Sequence, residues 1–331
     1  RDVRMSEERI EGYKFFVNKI WNMAKFVQMN IEDYASASIN DQEISLVDRW
    51  IKSRLNATVA EVIKALDEYR FNEAAAAIYQ FIWHELCDWY VELVKPVLYG
   101  KSQAGSRRAA QSTLLLVLET SLKLLHPFMP FVSEEIWQHL ISNDGYLMVN
   151  EFPVKNDTDQ DVDAERQVSI IVEVITAIRN IRGEMGIAPS KKLKVIIHAS
   201  EDESRRVISA GVDYIHHLAN LEELSLVAEG VESKEVATAV VADMMIYVLL
   251  EGLIDIPAER SRLEKEIAKV DKDLSFVTKK LNNSDFRGKA AAAIVTKEEE
   301  KYRDLMGKHS VLEAALRKFQ DIEPTATDVI T

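Results

Sequence analysis

Apolar residues in the last quarter of the chain step by alternating fours and threes. Leu263, Ile267, Val270, Leu274, Val277 and Leu281 form one series; Tyr302, Leu305, His309, Leu312, Leu316 and Phe319 form a second. This spacing keeps one side chain per turn on a single seam, the coiled-coil pattern. Two seams of similar length with a polar break between them are expected to pack on each other as an antiparallel hairpin. Such an arm has almost no interior in which to build a catalytic pocket. It can reach a partner, and the rest of the chain has to say which.

Upstream, the pattern over 6–155 is helical. Ser6 followed by Glu7 and Glu8 marks a helix start, with a capping hydroxyl and acids at the positive end. That helix is expected to run to about Asn30. A second is expected over 42–69 and a third over 72–95, ended by Pro96. A fourth covers 107–125, stopped by His126-Pro127. Pro130 is expected to break the next stretch, with Ser133-Glu134-Glu135 restarting a short helix through Ile141. Five antiparallel helices with short links make a bundle.

The polar, acidic stretch 155–163 reads as a boundary. A mixed module follows: a helix over 161–182, a strand over 193–198, a helix over 202–219, and a short strand over 224–227. Two more strands over 236–250 turn near Ala242-Asp243. Pro257 opens the hairpin at a helix start. The expected class is mainly α, in three parts. These are a helical bundle over 1–157, a small α/β junction module over 158–256 and a coiled-coil hairpin over 257–331.

Net charge is −13 over 331 residues, which argues against a generic nucleic-acid binder. Yet from Arg260 to Lys289 nine basic residues face five acidic ones. The excess sits toward the hairpin tip, at Lys279, Lys280, Arg287 and Lys289. A solvated coiled-coil surface is the plain reading of such a run. Cys87 is the single cysteine, so no internal disulfide can form, which fits a reducing cytoplasm. No apolar run approaches the ~18 residues needed to span a bilayer. Arg1 stands where a start methionine would, so a fragment or a processed product is expected.

Catalytic motifs do not emerge. Gly183 and Gly186 make no phosphate cradle. His84-Glu85 begins like a zinc-protease helix, but Asp88 occupies the place of the second histidine. His216 and His217 are adjacent on an expected helix and point ~100° apart, which rules out an i, i+4 metal pair. Cys87 has His84 three residues away but reads as a buried structural thiol. The aromatic stretch 71–95 reads as bundle core. No catalytic residue, metal site or cofactor is expected in this chain.

The first helix carries more. Tyr13, Phe16, Val17, Ile20, Met23, Ala24 and Val27 fall on one side, an ordinary core stripe. Lys14, Phe15, Asn18, Asn22, Lys25, Phe26 and Met29 fall on the other. Rings exposed among lysines and amides suit single-stranded RNA: a ring stacks on a splayed base, an amide reads an edge, a lysine meets phosphate. Packing of Phe15 and Phe26 on a neighbouring helix is the competing use.

The stretch 12–27, with Asn18-Lys19-Ile20-Trp21-Asn22 at its centre, resembles the opening helix of the anticodon-binding domain of class I aminoacyl-tRNA synthetases. That branch serves valine, isoleucine, leucine or methionine. Asp88-Trp89-Tyr90 through Lys95-Pro96 fits, as do Leu125-His126-Pro127-Phe128-Met129-Pro130-Phe131, Glu134-Glu135-Ile136-Trp137, and Ile178-Arg179-Asn180-Ile181-Arg182 through Pro189. A coiled-coil arm entered through Leu250-Glu251-Gly252-Leu253-Ile254-Asp255 looks like the C-terminal portion of the valyl-tRNA synthetases. The H-x-G-H motif and a Lys-Met pair that could open K-M-S-K-S are both absent.

The resemblance implies a bundle on the anticodon loop and an arm on the outer corner of valine tRNA. Lys19, Asn22, Lys25 and Phe26 match the anticodon-contact helix, with Phe26 as stacking ring; Arg9 and Glu92 are weaker matches. Lys25 departs from a frequent arginine, keeping charge but losing the planar fork. Lys279, Lys280, Arg287 and Lys289 are the expected arm contacts. For the intact enzyme the resemblance implies ATP-dependent, magnesium-assisted aminoacylation in catalytic and editing domains outside this chain. Within the chain it implies inactivity alone, a cytoplasmic monomer, no membrane, and tRNA as partner. Isoleucyl or leucyl specificity is one alternative, and a dimerising coiled-coil interaction module is another.

Overall fold

A capping box starts one helix of the bundle and a proline starts another. The computed structural model describes residues 6–34, 40, 43–100, 104–140, 145–227, 236–253, 256–283 and 292–320. The chain divides into two compact units, 1–173 and 174–331. The division falls inside one helix, α7 (Val162–Glu184).

In the first unit, α1 spans Glu7–Ile31 and α2 spans Leu46–Asp67. α2 starts at a capping box. The Ser45 hydroxyl accepts the Asp48 N–H at 3.2 Å, and the Asp48 carboxylate accepts the Ser45 N–H at 3.1 Å. Asp48 is buried and also accepts the Tyr90 hydroxyl at 2.6 Å. Burial pushes its carboxyl up, against the bonds donated by Ser45 and Tyr90.

The expected third helix is three consecutive pieces: α3 (Phe71–Gln80), a π-helical segment (Phe81–Tyr90) and α4 (Val91–Tyr99). No glycine or proline in 81–90 marks the widened turns. Pro96 does not end the helix. It gives up one N–H to the preceding turn, yet its fixed φ is helical, and the chain continues until the Gly100 N–H closes on the Pro96 carbonyl at 2.9 Å. α5 is Ala104–Leu125 and α6 is Pro130–Trp137. Pro130 starts α6 where a break was expected, because an N–H missing from the first turn has no partner there to lose. Ile20, Val27, Ile51, Val62, Ile78, Phe81, Leu86, Leu114 and Leu118 fill the bundle core.

In the second unit a four-stranded sheet has the order β2-β1-β4-β3, with β1 (Leu193–Ala199), β2 (Leu221–Val227), β3 (Val236–Val241) and β4 (Met244–Leu249). β1 and β2 are parallel and joined through α8 (Asp202–Leu218); the other pairings are antiparallel. Alternate residues of β1 are buried. Ala242, at φ 50°, and Asp243 make the tight β3–β4 turn where the sequence pattern put it. The Asp243 carboxylate then accepts the Glu201 N–H at 2.8 Å and the Ser204 hydroxyl, capping α8.

The arm is α9 (Ile256–Leu281) and α10 (Ala292–Gln320), packed on each other. Leu263, Val270, Val277 and Leu281 are buried, and Ile267 and Leu274 are half-buried. Lys280 pairs with Glu298, and Asp271 with His309 at 3.0 Å. Numbers fall on one helix as they rise on the other, so the hairpin is antiparallel. On α10, Tyr302, Leu305, His309, Leu312 and Leu316 are half-buried, and the side chain of Phe319 lies outside the described residues. Among the described residues no helix is long and apolar enough to cross a membrane.

Candidate nucleic-acid interface

Helix α1 separates its two faces much as its sequence implies. Phe16, Ile20, Met23, Ala24 and Val27 are buried, while Lys14, Phe15, Asn18, Asn22, Lys25 and Met29 are exposed. Val17 and Phe26 are half-buried, and Tyr13 departs furthest from the pattern. It was expected in the core and is 64 % exposed. It lines an open cleft of about 720 Å³ together with Ala75 and Ala76 of α3.

Lys19 points toward the bundle. Its ammonium pairs with Asp88 and lies 4.1 Å from the centroid of the Trp83 ring. Trp83 stacks with Tyr79 and Phe16. Asp88 also faces His84 at 3.2 Å. Asn22 and Lys25 are exposed on the helix front, with the Lys25 ammonium 5.9 Å from the Trp21 ring. Arg9 lies in α1, but its side chain is outside the described residues.

Phe26 is half-buried. Its ring meets Tyr99 edge-on, with centroids 6.3 Å apart and planes at 83°. Lys95 lies 5.9 Å from the Phe26 centroid and pairs with Glu92. The structure thus brings Phe26 and Glu92 together through Lys95. Asn30, itself buried, donates its amide to the Phe26 carbonyl at 2.8 Å and to the Tyr99 hydroxyl at 3.2 Å. Tyr99 lies beyond Lys95, where the sequence pattern ends the helix, so periodicity does not place it on this face. The π-helical turns also shift the phase of everything beyond them.

On the arm, Lys279 is exposed. Lys280 is engaged across the hairpin, and its ammonium holds the Glu298 carboxyl below the usual carboxylate range. Arg287 and Lys289 lie outside the described residues. Phe276, 67 % exposed, stands off the seam with Lys272 four residues before it and Lys279 three after. The spacing Lys-x3-Phe-x2-Lys was its available signal in the sequence.

Cys87 shows no nucleophile's environment. Burial pushes its thiol up to about 12, so it stays protonated near neutral pH. Among the described residues, no three His, Cys, Asp or Glu side chains gather as metal ligands.

The family described as the anticodon-binding domain of tRNA ligase matches residues 48–197. The family described as the valyl tRNA synthetase tRNA binding arm matches 255–320, which is the hairpin. The chain belongs to the valyl-tRNA synthetase family. Its similarity to the valine–tRNA ligase of Syntrophotalea carbinolica is 42 % identity over 98 % of this chain and 36 % of that protein. For the Geobacter sulfurreducens enzyme the identity is 40 %, over 97 % of this chain and 37 % of that one. For the Enterococcus faecalis enzyme it is 37 %, with the same two coverages. The chain spans a little over a third of the length of these curated relatives. It carries the family's anticodon-binding domain and tRNA-binding arm.

Proposed function

We propose that this chain binds valine tRNA, with the helical bundle on the anticodon loop and the arm on the outer corner. Within a longer polypeptide, it would orient that tRNA for ATP-dependent attachment of valine in the cytoplasm. The observation that carries the reading is the front of α1 together with the end of α4. Phe15, Asn22, Lys25 and Tyr99 stand exposed there in a chain that is otherwise acidic. The matched arm argues for valine over isoleucine or leucine. Two seam-bearing helices packed on each other in one chain argue for a monomer over a zipper dimer.

Lys19 and Lys280 take supporting parts in this reading. Lys19 fixes α1 to the π-helical segment, and Lys280 fixes α9 to α10. Contact with phosphate falls to exposed lysines such as Lys25 and Lys279. Lys279→Ala is therefore expected to lower the slope of log affinity against log salt by up to about 0.9 on valine tRNA. Lys280→Ala is expected to leave that slope near the parental value. Filter binding between low and physiological salt measures both. Equal slopes for the parent and Lys279→Ala would remove Lys279 from the interface.

A further inference from the structure

The pair Phe26 and Tyr99 does not offer two equivalent rings. Phe26 is half-buried, met by the Tyr99 ring on one side and approached by the Lys95 ammonium at 5.9 Å. Tyr99 is 65 % exposed. Its hydroxyl is tied at 3.2 Å to Asn30, which is 4 % exposed and also holds the Phe26 carbonyl. One buried amide thus fixes the Tyr99 ring from behind and leaves most of its surface to solvent. A ring held in this way loses little freedom when a flat partner settles on it.

We propose that Tyr99 is the ring on which an unpaired anticodon-loop base stacks, with Phe26 as its buttress and Asn30 as its anchor. The inference rests on the anticodon-binding reading and assigns the stacking role to a different residue. Beside Phe26, which meets Tyr99, stands Lys95 with its partner Glu92, and Asn22 and Lys25 precede Phe26 on α1 by four residues and one, a chemistry that suits a single-stranded nucleotide. Lys25 and Lys95 can meet phosphate, while the Asn22 amide and the Glu92 carboxylate can meet base edges. Lys95 and Glu92 pair with each other in the structure, so a base that takes Glu92 releases Lys95 to the backbone.

The test uses the full chain, valine tRNA, and the same tRNA with its anticodon bases replaced. Tyr99→Ala is expected to weaken binding of the unmodified tRNA about 5- to 150-fold, the range of one lost base stack. The replaced tRNA should bind parent and Tyr99→Ala alike. Tyr99→Phe keeps the ring and is expected to stay within about threefold of the parent. Thermal melting followed by circular dichroism checks that each variant keeps its fold. Parental affinity of Tyr99→Ala for the unmodified tRNA would overturn the inference while anticodon dependence of the parent survives. So would an equal loss on both tRNAs, which would mark Tyr99 as packing alone. A parent indifferent to anticodon replacement would overturn the underlying reading and the inference with it.

Discussion

Arg182→Met is expected to destabilise the second unit by about 2–4 kcal/mol. Arg182 is 9 % exposed and gives its guanidinium to four backbone carbonyls. It donates to Ala188 at 3.1 Å, Lys191 at 2.7 Å, Ala219 at 2.9 Å and Asn220 at 3.3 Å. These bonds fasten the end of α7 to the loop before β1 and the turn before β2. Three of the carbonyls have a second donor: the Lys191 N–H, the Asn220 amide and the Leu193 N–H. The loss therefore falls mostly on the charge-assisted bonds themselves and on the Ala219 carbonyl. Burial pulls the guanidinium down from its ordinary value, a desolvation cost that methionine escapes and that trims the total. Native-state hydrogen exchange should show protection falling in β1, β2 and α8, with α1, α2 and α5 unchanged. Parental protection in β1 and β2 would mean the four bonds are worth little.

Asp48→Ala is expected to cost about 2–3 kcal/mol in the first unit. The substitution removes the reciprocal half of the capping box, the bond from the Ser45 N–H, worth about 0.3–1.5 kcal/mol. It also removes the acceptor of the Tyr90 hydroxyl, in a place water cannot reach. That bond joins the start of α2 to the π-helical segment, which carries Asp88 and Trp83 and so steers Lys19 and α1. A stability loss should therefore come with weaker tRNA binding, although Asp48 touches no RNA. Urea unfolding monitors the first effect and filter binding the second.

Asp48 also has a pH consequence. Its carboxyl is raised above its unfolded value, so its stabilising contribution is full below the unfolded value. That contribution is lost as pH rises through the folded one. Asp48→Asn should remove this part of the pH dependence. An unchanged profile would show that Asp48 titrates in the same range folded and unfolded.

How much of this was legible in sequence depended on which residue carried the signal. The arm was open to reading because its seam repeats every 3.5 residues and its two halves lie close together in the sequence. The turn at Ala242-Asp243 was legible from strand length alone. Pro96 and Pro130 misled for one reason: a proline restricts the helix before it and permits the helix after it, so its position within a turn decides the outcome. Tyr13 misled because periodicity reports which side a residue faces and says nothing of what stands opposite. For Lys19 and Lys280, expected as RNA contacts, the sequence shows charge without the ion-pair partners the structure gives them. Asp88 lies 69 positions from Lys19, and Glu298 lies across a hairpin from Lys280.

The proposed function has an exposed aromatic and cationic face on the bundle reading the anticodon of valine tRNA. Its most direct test is the dissociation constant of this chain for valine tRNA before and after replacement of the anticodon bases, at one fixed salt concentration. A loss of about tenfold or more is expected on replacement, with the salt slope preserved because the arm and the backbone contacts remain. Equal affinity for the two tRNAs would contradict it.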